Sequence, residues 1–301
     1  MTIIKTQSQT PDTGSGRLGR RSLLFVPGSR IDRVTKALES EADAVIIDLE
    51  DAVAPGMKNQ ARAEVLEFLK QRGREGSVNK ELFVRINAIR SSNGMRDLLA
   101  LAEEAKGCWD AIVVPKADTQ GDIRQVADIL DEHDVPGSIA ALIESLEGLD
   151  NINQIAAASE RMDFLMFGGA DFAADLGVAI ERLPLEHARC RVIHAAARFG
   201  LASVEMPWIN LSDKDGYEDD LKYCFKLGFD ARAAIHPDQI AGIHRHLLPT
   251  PEGVSKAREI VRAFEEADGG VFAMNGRLVE KPVVMAARKA LARAGRAAGG
   301  A

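Results

Sequence analysis

The residues of this chain best suited to chemistry stand at the ends of short apolar runs. Glu144 follows Ile139–Ile143, and Asp171 follows Phe164–Phe167 after the pair Gly168 and Gly169. Two oxygen donors with no histidine or cysteine nearby suit a hard cation, and Mg2+ takes one or two carboxylates while keeping several waters. Arg85 ends the run Leu82–Val84, and its planar guanidinium can grip a carboxylate through two parallel hydrogen bonds. A metal beside an arginine is a device for holding a 2-oxo acid and for stabilising an enolate or alkoxide as its charge develops. Several of these groups also have plainer readings. Glu144 and Asp171 are suited to capping the start of a helix, and Asp48 to an ion pair with Arg85 or Lys116. Lys116, after Ala111–Val114, reads either as a Schiff-base lysine or as the partner of one of the rim carboxylates. Glu205 and His236 close the list of ionisable groups at strand ends, and His236, wedged before Pro237, reads as structural.

The elements that must position these groups alternate along the chain. Strands are expected at Ser22–Val26, Ala44–Asp48, Leu82–Ile86, Ala111–Val114, Ile139–Glu144, Phe164–Phe167, Ala202–Val204 and Ala233–Ile235. Helices are expected near 29–39, 58–70, 94–104, 123–132, 149–158, 186–199 and 217–227. Strand–helix alternation with continuous apolar strands implies βαβ units and a parallel sheet buried on both faces. Eight such strands predict an α/β fold of the (β/α)8 barrel type. An open doubly wound sheet is the alternative, but no strand leads into a G-x-G-x-x-G phosphate loop. A barrel places its chemistry at the C-terminal ends of the strands, where the groups above stand. Residues 1–20, rich in Thr, Gln, Ser and Gly, read as a disordered tail, and 21–248 as the barrel. Residues 249–301 read as a C-terminal helical arm or lid, with helices near 251–267 and 282–294 and a hairpin or turn at 269–279.

Composition narrows the function classes. The chain has 301 residues, 46% hydrophobic and 28% charged, with a net charge of −7. That is a globular composition with ample core and no basic footprint for nucleic acid. No apolar stretch approaches the ~20 residues of a membrane helix, and no secretory leader is evident. Cys108, Cys190 and Cys224 are odd in number and widely spaced, which argues against a disulfide framework and for a reducing, cytoplasmic setting.

Seven stretches, in order, resemble the CitE-like branch of the HpcH/HpaI aldolase and citrate lyase superfamily. They are 21–28 (RSLLFVPG), 45–53 (VIIDLEDAV), 84–87 (VRIN), 114–116 (VPK), 143–145 (IES), 168–171 (GGAD) and 234–237 (AIHP). The resemblance covers about Arg21 to Gln239 and continues more loosely to the C-terminus. It implies a (β/α)8 barrel that assembles as a homotrimer and cleaves or forms a C–C bond with Mg2+. The implied substrates are a hydroxyacyl thioester (malyl, citramalyl or citryl, on CoA or a carrier) and a 2-oxo acid. It also implies Glu144 and Asp171 as metal ligands, Arg85, Glu144 and Lys116 in the substrate site, and backbone N–H donors from the turn holding Gly168, Gly169 and Ala170. A carboxylate must take the hydroxyl proton; Asp48 and Glu50 on the rim are the candidates, with Glu280. Glu280 stands where relatives carry an Asp that reaches a neighbouring subunit's site, one methylene longer. After the seventh strand, Glu205-Met206-Pro207 departs from the family pattern in a way expected to reshape the pocket. The alternatives are an aldolase acting on free hydroxy-oxo acids, and a non-catalytic subunit of a citrate-lyase-like complex.

Overall fold

The computed structural model describes residues 19–75, 80–247, 250–267, 270–274 and 276–299. Eight parallel strands close into a barrel: β1 (Ser22–Pro27), β2 (Ala44–Asp48), β3 (Glu81–Arg85), β4 (Ala111–Val114), β5 (Ser138–Ile143), β6 (Met162–Phe167), β7 (Ala202–Glu205) and β8 (Ala231–Ala234). Pairing of Ser22 with Arg232, Leu23 with Ala233 and Leu24 with Ala234 completes the ring. The expected (β/α)8 architecture is therefore the one observed.

Because side chains alternate across a strand, each strand feeds two cores. Leu23, Ile46, Phe83, Val113, Leu142, Phe164, Met166 and Val204 fill the barrel interior. Their neighbours pack outward against the helices. Small residues on four strands, Ala111, Ala140, Ala202 and Ala231, leave room for Phe83 and Phe164, whose rings meet at 5.7 Å.

The N-terminal end of the barrel is closed by Arg20, only 3% exposed. Its guanidinium donates to both oxygens of Glu81 and to Asp163, and lies over the Phe83 and Phe164 rings. Arg20, assigned by the sequence to the tail, thus packs as part of the barrel, where its cation plugs the N-terminal end. The rest of the expected tail, residues 1–18, lies outside the described residues.

Two helices beyond those expected appear. α7 (Gly169–Leu176) starts directly from the β6 turn. α10 (Asp238–Leu247) follows β8 and buries Ile240, Ile243 and Leu247 on one face. The single helix expected at 149–158 is two short ones, α5 (Leu146–Asp150) and α6 (Ile152–Ala156). The C-terminal arm comprises α11 (Pro251–Glu266), a hairpin of β9 (Phe272–Met274) and β10 (Arg277–Val279), and α12 (Lys281–Gly299). Lys289 and Arg293 of α12 pair with Asp230, just before β8, so the arm is fastened at the end of the barrel opposite the strand C-termini. None of the described helices is long and apolar enough to cross a membrane.

Candidate active site

The C-terminal mouth of the barrel holds a cavity of about 470 Å3. Asp48, Arg85, Glu144, Gly169, Ala170 and Asp171 all line it, so most of the groups expected at strand ends do converge. Their arrangement follows from the sheet register. Asp48 and Arg85 are directly opposite across β2 and β3, and they form a bidentate pair: Arg85 Nε donates to Asp48 Oδ1 at 2.8 Å and Nη2 to Oδ2 at 2.6 Å. Asp48 also accepts from the backbone N–H groups of Glu50 and Ala52. Each of its oxygens therefore has two donors, and the ion-pair reading of Asp48 is the one realised.

Glu50 lies just behind this pair. Its Oε1 accepts from Lys116 Nζ at 3.0 Å, while Oε2 sits 3.1 Å from Arg85 Nη1 without hydrogen-bond alignment. Burial raises the Glu50 pKa, against the opposing charges of Arg85 and Lys116. For Lys116, burial lowers the pKa but the hydrogen bond and charge of Glu50 outweigh it, so the net shift is upward. An amine held protonated is a poor nucleophile, and Lys116 does not line the cavity. The Schiff-base reading of Lys116 therefore lacks support; the carboxylate-paired one stands.

Glu144 is only 4% exposed, and its pKa is pushed up to about 8. Burial is the largest cause, followed by the charge of Glu50; Asp171 adds to it, and the Lys116 backbone N–H and Arg85 oppose it. The Lys116 N–H reaches Glu144 Oε1 at 2.7 Å because Lys116 adopts φ +49°, a left-handed conformation uncommon for a residue with a side chain. Asp171 stands in the first turn of α7, whose free N–H groups and dipole favour negative charge. Gly168 is required for close approach: a Cβ there would lie 2.4 Å from Glu144 Cβ. Its own N–H is taken by the Ile143 carbonyl, so the available backbone donors are Gly169 and Ala170, not Gly168.

The donor set fits a hard divalent cation. Four carboxylates line the cavity (Asp48, Asp51, Glu144 and Asp171) against two guanidinium groups, Arg33 and Arg85. A dication would neutralise the excess. No group of three or more His, Cys, Asp or Glu in a metal-holding arrangement occurs among the described residues. Glu144 and Asp171 would supply the protein oxygens, leaving the other positions to water and substrate, as Mg2+ prefers.

Other expected site residues lie elsewhere. Glu205 faces outward from β7, because its neighbour Val204 points inward; fully buried, it pairs with Arg189 of α8 (Arg182–Phe199). Met206 and Pro207, which follow it, do line the mouth. Asn87, which follows Arg85 by two residues, is buried against Leu49 and Asp97 and takes no part in the cavity wall. The His236 ring accepts from the Asp238 N–H at the start of α10, a structural role. Glu280 is exposed at the start of α12 and is absent from the cavity wall of its own chain. Asp51, which follows Asp48 and Glu50 at the end of β2, reaches the cavity as strand-end position suggests; sequence reasoning missed Arg33 as a cavity residue, and the apolar part of the wall altogether. Strand parity is the signal that finds Phe25, Leu142 and Met166.

Comparison with known proteins identifies the family. The model of the HpcH/HpaI aldolase/citrate lyase family matches residues 21–237. The citrate lyase subunit beta of Escherichia coli is 35% identical over 91% of this chain and 93% of its own length. The L-malyl-CoA/beta-methylmalyl-CoA lyase of Cereibacter sphaeroides is 32% identical over 86% of this chain and 90% of its own. The crystal structure of CitE from Mycobacterium tuberculosis, in complex with magnesium, acetoacetate and coenzyme A, superposes with a TM-score of 0.75. It is 30% identical and covers 93% of this chain and 99% of that one. The chain belongs to the HpcH/HpaI aldolase/citrate lyase family.

Proposed function

We propose that the protein is a Mg2+-dependent carbon–carbon lyase. It would cleave or form a β-hydroxyacyl-CoA thioester of the malyl, citramalyl or citryl type, giving an acyl-CoA and a 2-oxo acid. The observation that carries this reading is the pairing, in one cavity, of Glu144 and Asp171 with an arginine already clamped by Asp48. Further support comes from the E. coli and C. sphaeroides relatives, which are a citrate lyase subunit and a malyl-CoA lyase, and from a CitE structure that contains magnesium, acetoacetate and coenzyme A.

Glu144 and Asp171 would hold the cation. Bound there, Mg2+ would polarise the oxygen on the carbon being cleaved and stabilise the developing charge. The substrate carboxylate lies on the Gly169 and Ala170 N–H groups at the start of α7, a natural anion site. Arg85, held rigid by Asp48, offsets the negative charge that the bound oxo acid brings. Asp48, with both oxygens occupied, thus positions Arg85, and Glu50 lies behind that pair and off the cavity wall. On this chain Asp51 is the wall carboxylate left to accept the β-hydroxyl proton as the C–C bond breaks. Glu280 would return a proton to the thioester α-carbon from a neighbouring copy of the chain. Its exposure, and that of Leu278 (62%) and Met285 (67%) beside it, supports an arm that packs on a second protomer in a homo-oligomer, a trimer by resemblance.

The test is direct. Purified protein is assayed with malyl-CoA, citramalyl-CoA and citryl-CoA, in MgCl2 and in EDTA, alongside Asp171→Ala. Metal-dependent cleavage of at least one thioester, abolished in the variant, is expected. Absence of cleavage of all three, or full activity of Asp171→Ala, would overturn the reading.

A further inference from the structure

A second cavity, of about 660 Å3, opens beside the mouth. It lies between the start of α8, the segment that follows β7, and α9 (Lys214–Leu227). Met206, Pro207 and Ile209 stand on the walls of both cavities. The charged groups of the mouth do not reach the second one, which has its own. Three guanidinium groups line it, those of Arg182, Arg189 and Arg232. Arg182 pairs with Asp219 and Asp220, and Arg232 with Asp220 and the Cys224 sulfur.

Arg189 is different. Among the described residues only its Nε has a hydrogen-bond acceptor, Glu205 at 3.1 and 3.2 Å, and Nη1 is buried without a partner. The residue is 4% exposed, and its guanidinium lies 5.7 Å from the Phe167 ring and 5.9 Å from the Tyr223 ring, which hold it in place. The Trp208 indole N–H, on the same wall, is likewise buried without a partner. Buried donors left unpaired are rare and costly, and the fixed, planar Nη edge of an arginine matches the two oxygens of a carboxylate. A cation does not suit the site. The two oxygens of Asp220 face Arg182 and Arg232, and Asp213 caps α9 through the Gly216 N–H.

We propose that this cavity is a second binding site, for a small monocarboxylate with an apolar body, whose carboxylate takes the Nη edge of Arg189. The rest of the wall sets that class. Ile180, Leu183, Met206 and Ile209 offer hydrocarbon to the body of the molecule. Glu181 and Asp213 also stand on the wall, so a second negative charge on the ligand is repelled. The site is separate from the metal and from thioester cleavage, and it stands whether or not the lyase reading does.

Trp208 reports on the site once the chain's other tryptophan is removed by Trp109→Phe. The full chain carrying that change is titrated with sodium pentanoate in EDTA, and Trp208 fluorescence is followed. A saturable change is expected with pentanoate, and none over the same range with 1-pentanol or inorganic phosphate. Arg189→Met should weaken binding about tenfold or more, the loss of a charge-assisted hydrogen bond. Because that variant strands the buried Glu205, a charge pair at exposed Leu183 provides an independent check. Leu183→Glu should weaken binding about threefold and Leu183→Lys strengthen it by a similar factor, as exposed charges do. Arg85→Gln should leave pentanoate binding unchanged. Absence of saturation, equal binding of pentanol or phosphate, or indifference to the Leu183 pair would overturn the proposal. Loss of binding in Arg85→Gln would assign the carboxylate to the mouth and overturn it too. Metal-dependent thioester cleavage by a protein that binds no pentanoate would leave the lyase reading intact.

Discussion

Replacing Gly168 by alanine probes the closest contact in the site. A methyl group there would stand 2.4 Å from Glu144 Cβ and 2.7 Å from Glu144 Oε2, far inside the ~3.5–4 Å of normal carbon contacts. Gly168 has φ −95° and ψ 65°, outside the left-handed region, so the effect is a collision and not backbone strain. Glu144 Cβ is fixed to the chain at the end of β5 and cannot swing aside; either that strand end or the start of α7 must move. Overpacking of this kind costs about 1–3 kcal/mol, and with about 2–4 °C of melting temperature per kcal/mol for a large domain, a loss of about 2–12 °C is expected. The same shift displaces the Glu144 carboxylate relative to Asp171. A misplacement near 1 Å costs about 10²-fold in rate, and Mg2+ affinity should fall with it. Thermal melts, Mg2+ titration and thioester turnover are to be compared with Gly56→Ala, where a Cβ meets nothing within 4 Å and no change is expected. A Gly168→Ala protein with unaltered melting temperature and Mg2+ affinity would refute the reasoning.

Three further outcomes follow from the site. Asp48→Asn removes the charge that clamps Arg85 and replaces one acceptor oxygen by a donor; kcat/KM should drop by about 10²-fold while Mg2+ affinity, measured by titration, changes little. Asp51→Asn should leave the melting temperature and oxo-acid binding intact and lower kcat by about 10²–10⁴-fold; wild-type turnover in this variant would remove Asp51 from proton transfer. Glu144, with its pKa moved from the ordinary 4.5 to about 8, must lose a proton to bind metal. Mg2+ affinity should therefore rise about tenfold per pH unit below pH 8 and level off above it. The folded metal-free protein holds that proton where the unfolded chain does not, so its stability should fall as pH rises from 4.5 towards 8. Affinity independent of pH across pH 6–8 would contradict the assigned ligand.

The barrel was readable because its strands are continuous apolar runs, as strands buried on both faces must be. Ala44–Ile47 and Ala111–Val114 are buried throughout. β8 was placed late because it carries Arg232, a residue type expected at the surface, which here is 1% exposed and paired with Asp220 behind the sheet. α7 was missed because it is short and follows two glycines, and α10 because its apolar spacing sits between Pro237 and a histidine-rich turn. The convergence of Arg85, Glu144 and Asp171 followed from position at strand ends alone. The pairing of Asp48 with Arg85 did not, since it depends on inter-strand register. Neither did the Lys116 N–H bond to Glu144, which needs a left-handed residue that no local pattern announces. The misplacement of Glu205 was avoidable: counting parity from inward-facing Val204 turns its side chain away from the mouth.

The central claim is that Glu144 and Asp171 make thioester cleavage depend on a divalent cation. Its most direct test is cleavage of citramalyl-CoA by the full chain, stripped with EDTA and then titrated with MgCl2. The expected result is loss of turnover on stripping and full recovery with added Mg2+, with no recovery in Asp171→Ala. Undiminished cleavage after stripping, or recovery in the variant equal to that of the wild type, would contradict it.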